Sequence, residues 1–145
     1  MTPKIESFLA EAPIETPCLV VDLDVVAASY KRLHNAMPLA DIFYAVKANP
    51  AKPVLETLAG LGSCFDAASV NEVEACLAAG ARPEIISYGN TIKKQRDIET
   101  AFTKGVRLFA FDCENELIKI AEAAPGADVY CRVMVSNDGA EWPLS

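Results

Sequence analysis

The chain has 145 residues, 52% of them hydrophobic, and a formal charge of −7. That is enough length and apolar content for one domain with a buried core, and too apolar for a disordered chain. The negative balance argues against nucleic acid, which needs clustered cations, and no apolar run approaches membrane-spanning length.

The opening, MTPKIESFLAEAPIETP, interrupts its apolar residues with Glu and Pro. It does not read as a signal peptide, so the cytoplasm is the expected location. TPCLVVDL (16–23) reads as a strand, and Asp24 is placed to cap a helix running to about Met37. Strand-length apolar runs then recur: IFYAVK (42–47), SCFDAA (63–68), EIISYG (84–89), VRLFAF (106–111) and DVYCRVMV (128–135), with starts 21, 21, 22 and 22 residues apart. The segments between have helical periodicity. In KPVLETLAGLG, Val54, Leu55, Leu58 and Leu61 share a face before the glycines; SVNEVEACLAAG opens with Ser69 and Glu72 at capping-box spacing and closes on Gly80. KKQRDIETAFTKG and ENELIKIAEAAPG end on glycine too.

Near-continuous apolar strands alternating with helices predict an α/β fold with a parallel sheet covered on both faces, either a doubly wound open sheet or a (β/α) barrel. The constant spacing favours the barrel. A complete barrel has eight strands, whereas about five are legible here, so the expectation is a partial (β/α)8 TIM barrel or an open sheet.

The five cysteines show no CxxC spacing and sit mostly in apolar segments, so they are expected to be reduced core residues. His34, in a polar stretch, reads as a surface residue, and a single histidine leaves little for a zinc site or a Ser-His-Asp triad; no metal is expected. Lys93-Lys94 with Arg96 reads as a solvated helix face.

In either architecture ligands gather at the carboxyl ends of the strands. Lys47 and Asn49 follow the first, Asp66 lies in the second, Tyr88 and Asn90 end the third, Asp112 the fourth, and Arg132 lies in the fifth. Lys47 against an apolar wall would favour the neutral amine and imine formation, with a neighbouring carboxylate to hold the cation on release. Each residue also has a plainer reading: Lys47 as half of a structural ion pair, Asp66 as a loop cap, Glu72 as part of the capping box, Asp112 as an N-cap. Arg132 in an apolar strand must meet a carboxylate or a ligand oxygen.

FYAVKANP (43–50) resembles the cofactor-lysine motif of the fold-type III pyridoxal-phosphate decarboxylases, the ornithine, lysine and diaminopimelate decarboxylase group. TPCLVVDLD, LGSCFDAASVNEVE, ISYGNTIK, FAFDCENEL and VYCRVMVSNDGAEWPLS resemble successive blocks of the same group, so the likeness runs along essentially the whole chain. ISYGNTIKK and SNDGAEWPLS look most like bacterial ornithine decarboxylases. The resemblance implies pyridoxal 5′-phosphate as cofactor and decarboxylation of a basic amino acid, L-ornithine to putrescine in polyamine synthesis, with lysine or diaminopimelate as alternatives. It makes Lys47 the catalytic Schiff-base lysine, Asp66 and Glu72 nearby carboxylates that receive its amine, and Arg132 a neighbour of the cofactor ring. It also implies that residues 24–145 form the first part of the cofactor-binding barrel, and that residues 1–23 supply a strand to a β-domain outside this chain. The ring-stacking histidine, the phosphate-binding glycine loop and the dimer-interface residues of the family are not matched here. The expectation is therefore an N-terminal portion, inactive until joined by the remaining C-terminal polypeptide and working as a homodimer of the complete enzyme. A racemase on the same barrel fits the CFDAAS block less well. A non-catalytic α/β binding or regulatory module is the alternative from another class.

Overall fold

The structure, a computed structural model, describes residues 1–11, 13–136 and 139. Among them are five short strands: β1 (Phe43–Ala45), β2 (Cys64–Ala67), β3 (Ile86–Tyr88), β4 (Leu108–Phe111) and β5 (Asp128–Cys131). They form one sheet in sequence order, every neighbouring pair parallel. A doubly wound sheet reverses its order at a switch point, whereas this one advances by one strand each time. The chain is thus an arc of a (β/α) barrel, and the choice left open by periodicity is settled by topology.

Helices α1 (Pro3–Glu11) and α2 (Leu23–Ala36) precede the sheet, and α3 (Lys52–Gly60), α4 (Val70–Ala78), α5 (Gln95–Thr103) and α6 (Glu114–Ala123) each follow a strand. The alternation of strand side chains assigns the two faces. Phe65, Ile86 and Phe109 point towards the helices and are fully buried with Leu55, Val73, Ile98 and Ile120. The opposite face carries Phe43, Asp66, Ser87, Leu108 and Tyr130, which line an open cavity of about 470 Å³. Within it Asp66 stands beside Ser87, and Ser87 beside Leu108, in register. The apolar runs therefore conceal one polar face, the one that becomes a barrel interior.

Local chemistry explains the element ends. β1 stops at Ala45, and residues Val46–Ala48 turn as a 3₁₀ segment containing Lys47. Asn49 is extended, as a residue before proline must be, and its Oδ1 accepts the Ala51 N–H at 3.0 Å to launch α3. Ser69 caps α4, and the Glu72 carboxylate reaches back to the Ala68 N–H at 2.7 Å, one residue beyond the usual capping-box donor. Gly105 ends the α5 turn at φ +100°, where an added Cβ would also lie 2.8 Å from the Pro83 ring.

Three expectations are corrected. The cap of α2 is Asp22, whose side chain accepts the Asp24 N–H; Asp24 falls in the first turn. The 16–22 stretch, expected to pair outside this chain, joins no strand among the described residues, and α1 precedes it where no helix was anticipated. Only Cys64 and Cys76 are buried; Cys18, Cys113 and Cys131 are exposed, all five unpaired. Burial pushes the Cys76 thiol up to about 12, that of an inert core residue. Lys93 is not on a solvated helix face. It precedes α5 and is 3% exposed, since the loop folds it inward. His34 is exposed as expected, stacked on Tyr30.

Candidate active site

The turn after β1 and the loops after β3 and β5 converge at the carboxyl ends of the strands around a cavity of about 340 Å³. Lys47, Asp66, Asn90, Tyr130 and Arg132 contribute to its wall. Each is placed by its element: Lys47 by the 3₁₀ turn after β1, Asp66 by the inward-facing position of β2, and Asn90 by the loop after β3. Tyr130 is on β5, and Arg132 follows one residue past it, held by its N–H donating to the Phe111 carbonyl at 2.8 Å.

Asp66 is the most constrained member. Its Oδ1 is buried and accepts no hydrogen bond within the described residues, a costly arrangement for a carboxylate unless something meets it. It occupies space that a side chain at position 89 would fill: a Cβ on Gly89 would fall 1.9 Å from that oxygen. Burial pushes the Asp66 carboxyl above the usual carboxylate range, opposed by the Ser87 hydroxyl and the charges of Lys47 and Arg132, and assisted by Glu72. Glu72 thus acts on the site through its field while its carboxylate is engaged in the cap of α4.

Lys47 is exposed, so the apolar wall anticipated around it is not supplied by this chain. Arg132 is also exposed and lies just outside the strand, where no burial cost has to be offset. Tyr88 does not reach the mouth. Its ring faces the helices, 2% exposed and 6.1 Å from the Phe109 ring, and burial pushes its hydroxyl up to about 12. Asn49 serves its own turn, and its carbonyl accepts the Tyr44 hydroxyl at 3.3 Å. Asp112 does not cap α6: the cap position is Cys113, without a side-chain bond, and Asp112 instead lines an adjoining cavity with Thr91 and Arg132.

Two features were missed in the sequence. Ser87 and Tyr130 share a hydrogen bond of 3.0 Å across the inner face; a hydroxyl at an inward position of each apolar run was the available signal. Behind the rim, the buried Lys93 ammonium and the Glu116 carboxylate stand 3.5 Å apart, with side chains 0% and 6% exposed. A lysine before a helix and a glutamate inside one gave no pattern that joins them.

A lysine amine and a carboxylate with one buried oxygen line the same cavity at the ligand end of a parallel arc wound in one direction, which makes this part of a (β/α) barrel with its polar groups gathered at the ligand rim. The chain belongs to the pyridoxal-dependent decarboxylases: residues 23–145 match the family's pyridoxal binding domain. Lysine/ornithine decarboxylase of Selenomonas ruminantium is 43% identical over 127 residues, 88% of this chain and 32% of that protein. Rat ornithine decarboxylase is 37% identical over 126 residues, 87% of this chain and 27% of that protein. Among solved structures, SrLDC in complex with PLP and cadaverine is 40% identical with a TM-score of 0.85, covering 99% of this chain and 37% of that one. The chain thus spans between about a quarter and a third of the length of these relatives. Pyridoxal phosphate is the family's cofactor, and the donor set fits it. An aldehyde calls for an amine at the rim, which Lys47 presents, and the unmet Asp66 oxygen is an acceptor for a cationic or protonated group.

Proposed function

We propose that this chain is the N-terminal part of the cofactor barrel of a decarboxylase acting on a basic amino acid, with Lys47 the residue to which pyridoxal phosphate attaches. The observation that supports this most strongly is the convergence of Lys47, the unmet Asp66 oxygen and Arg132 on one rim cavity. When bound, the cofactor supplies an electron sink for the pair left behind as carbon dioxide departs. The chain's own residues do the positioning. Lys47 offers its amine from the short turn that follows β1. Asp66, lowered by the Lys47 charge and raised by burial, is poised to hold the lysine as an ammonium ion and to keep that proton near the site. Glu72 is the second carboxylate on this side, tied to the loop that begins at Ala68. Arg132, exposed at the same cavity, would lie near the cofactor ring and offer it a guanidinium.

L-Ornithine, giving putrescine, is the substrate we assign. Support comes from the ISYGNTIKK block, residues 86–94, which resembles ornithine decarboxylases. The second block behind that choice, SNDGAEWPLS, lies outside the described residues except for Ser136 and Gly139. Residues 1–23 are assigned to a second, β-rich domain; their 16–22 stretch has no strand partner here, and Leu19 is 83% exposed. The complete enzyme is a cytoplasmic homodimer in this reading; among the described residues no helix is long and apolar enough to cross a membrane. The test is carbon dioxide release from carboxyl-labelled ornithine and lysine by this chain alone and joined to the remaining polypeptide. Turnover of ornithine, faster than lysine, is expected only from the joined protein and not from its Lys47→Ala variant. Faster lysine turnover would overturn the substrate, and turnover by the Lys47→Ala variant would overturn the site.

A further inference from the structure

Lys93 and Glu116 are the only charged residues among the described ones that are buried as whole residues. Neither touches the cavity, yet both are tied to its wall. The Lys93 ammonium has three hydrogens, and three carbonyls surround it: Asn90 at 2.9 Å, Thr91 at 3.3 Å and Ala110 at 2.6 Å. Two belong to the loop after β3 and the third to the end of β4. Glu116 supplies the counter-charge from α6 and accepts the Lys93 backbone N–H at 3.3 Å. Lys119 closes the assembly, donating to the Lys93 carbonyl at 2.6 Å and pairing with the other Glu116 oxygen. A buried pair of this kind contributes little net stability over a well-packed apolar replacement, so charge balance alone does not account for it. What an apolar pair cannot reproduce is the three-carbonyl anchorage. The anchored residues face the chemistry: Asn90 lines the cavity of Lys47 and Asp66, and Thr91 lines the adjoining one with Arg132.

We propose that Lys93 is a positioning residue, an ammonium clamp that fastens the Asn90–Thr91 loop to the end of β4 and so sets one wall of the Lys47 cavity. The clamp stands on geometry alone; its effect on Lys47 rests on the cofactor-site reading above.

Three measurements on the purified chain separate the roles: melting temperature, the rate of tryptic cleavage after Lys94, and the rate at which pyridoxal phosphate is trapped on Lys47 by borohydride. Glu116→Gln keeps an acceptor for the Lys93 N–H and leaves all three carbonyl bonds; it is expected to melt lower, with cleavage and trapping near wild type. Lys93→Met/Glu116→Gln removes both charges. It is expected to melt lower as well, since three carbonyls lose their donor, but unlike Glu116→Gln it should also raise cleavage after Lys94 roughly tenfold and slow trapping several-fold, because proteolysis follows local opening. A folded double variant with wild-type cleavage would overturn the clamp, and one that fails to fold would show that the pair holds the fold and not the loop. The two readings fail separately: no trapping at Lys47 in the wild-type chain, even with the remaining polypeptide joined, counts against the cofactor site and leaves the cleavage rates to decide the clamp.

Discussion

Asp66 couples the stability of this chain to pH. Its carboxyl is raised by burial, so the folded state holds that proton more tightly than the unfolded chain does. The sign follows: as pH rises from the ordinary carboxylate value through the raised one, the folded state loses stability relative to the unfolded state, and above that window the cost is constant. Asp66→Asn removes the titration and leaves a neutral group beside Ser87. The expected result at neutral pH is a melting temperature higher by roughly a few degrees, with the pH dependence in the acidic range flattened, and trapping of pyridoxal phosphate on Lys47 diminished. Thermal melts from pH 4 to 8 check it; a variant less stable than wild type at neutral pH would contradict the burial cost.

At the scale of elements, end signals in the sequence were more reliable than long-range ones. Ser69 and Glu72 marked the start of α4 because the cap is chemistry within four residues. Ser69→Ala should therefore cost about 1 kcal/mol in urea unfolding, with an unchanged dependence on denaturant concentration; a cost near zero would mean that the 3.3 Å bond to the Glu72 N–H contributes nothing. The five repeating strands were placed correctly but too long, since hydropathy persists past the point where pairing stops: DVYCRVMV spans eight residues, and β5 uses four. Lys47, Asp66 and Arg132 were legible because strand ends can be counted, and they do share one cavity. Tyr88 was misplaced because β3 ends with it facing the helices, a parity that strand-end counting does not supply. Lys93 was misread for a different reason. Its neighbours Lys94 and Arg96 are exposed, and its partners at Ala110 and Glu116 lie 17 and 23 residues away, a distance over which no local pattern operates.

At the largest scale, the arc leaves β1 and β5 each with a single strand partner among the described residues. Such edges are open to further pairing. Burial follows the same gradient: β3 is wholly buried, whereas Phe43 of β1 and Val129 of β5 are 40% and 41% exposed. Beside β1, an apolar groove of about 420 Å³ opens between α2 and α3, with Val25, Leu33 and Ile42 among its walls. Its lining suits packing more than chemistry, which is why the smaller, polar rim cavity is the better site despite its size. The chain by itself is expected to bind an apolar fluorescent dye and to self-associate through its open edges; joining it to the remaining polypeptide should suppress the dye binding and leave a discrete homodimer. A dye-silent monomer would show that the arc is sufficient alone.

The most direct test is to reduce the purified protein with borohydride in the presence of pyridoxal phosphate, then digest it and map the modified peptide by mass spectrometry. The expected result is one dominant adduct on the peptide containing Lys47, lost in the Lys47→Ala variant. An adduct concentrated on another lysine, or none with the barrel completed, would contradict the assignment of the rim amine as the cofactor's point of attachment.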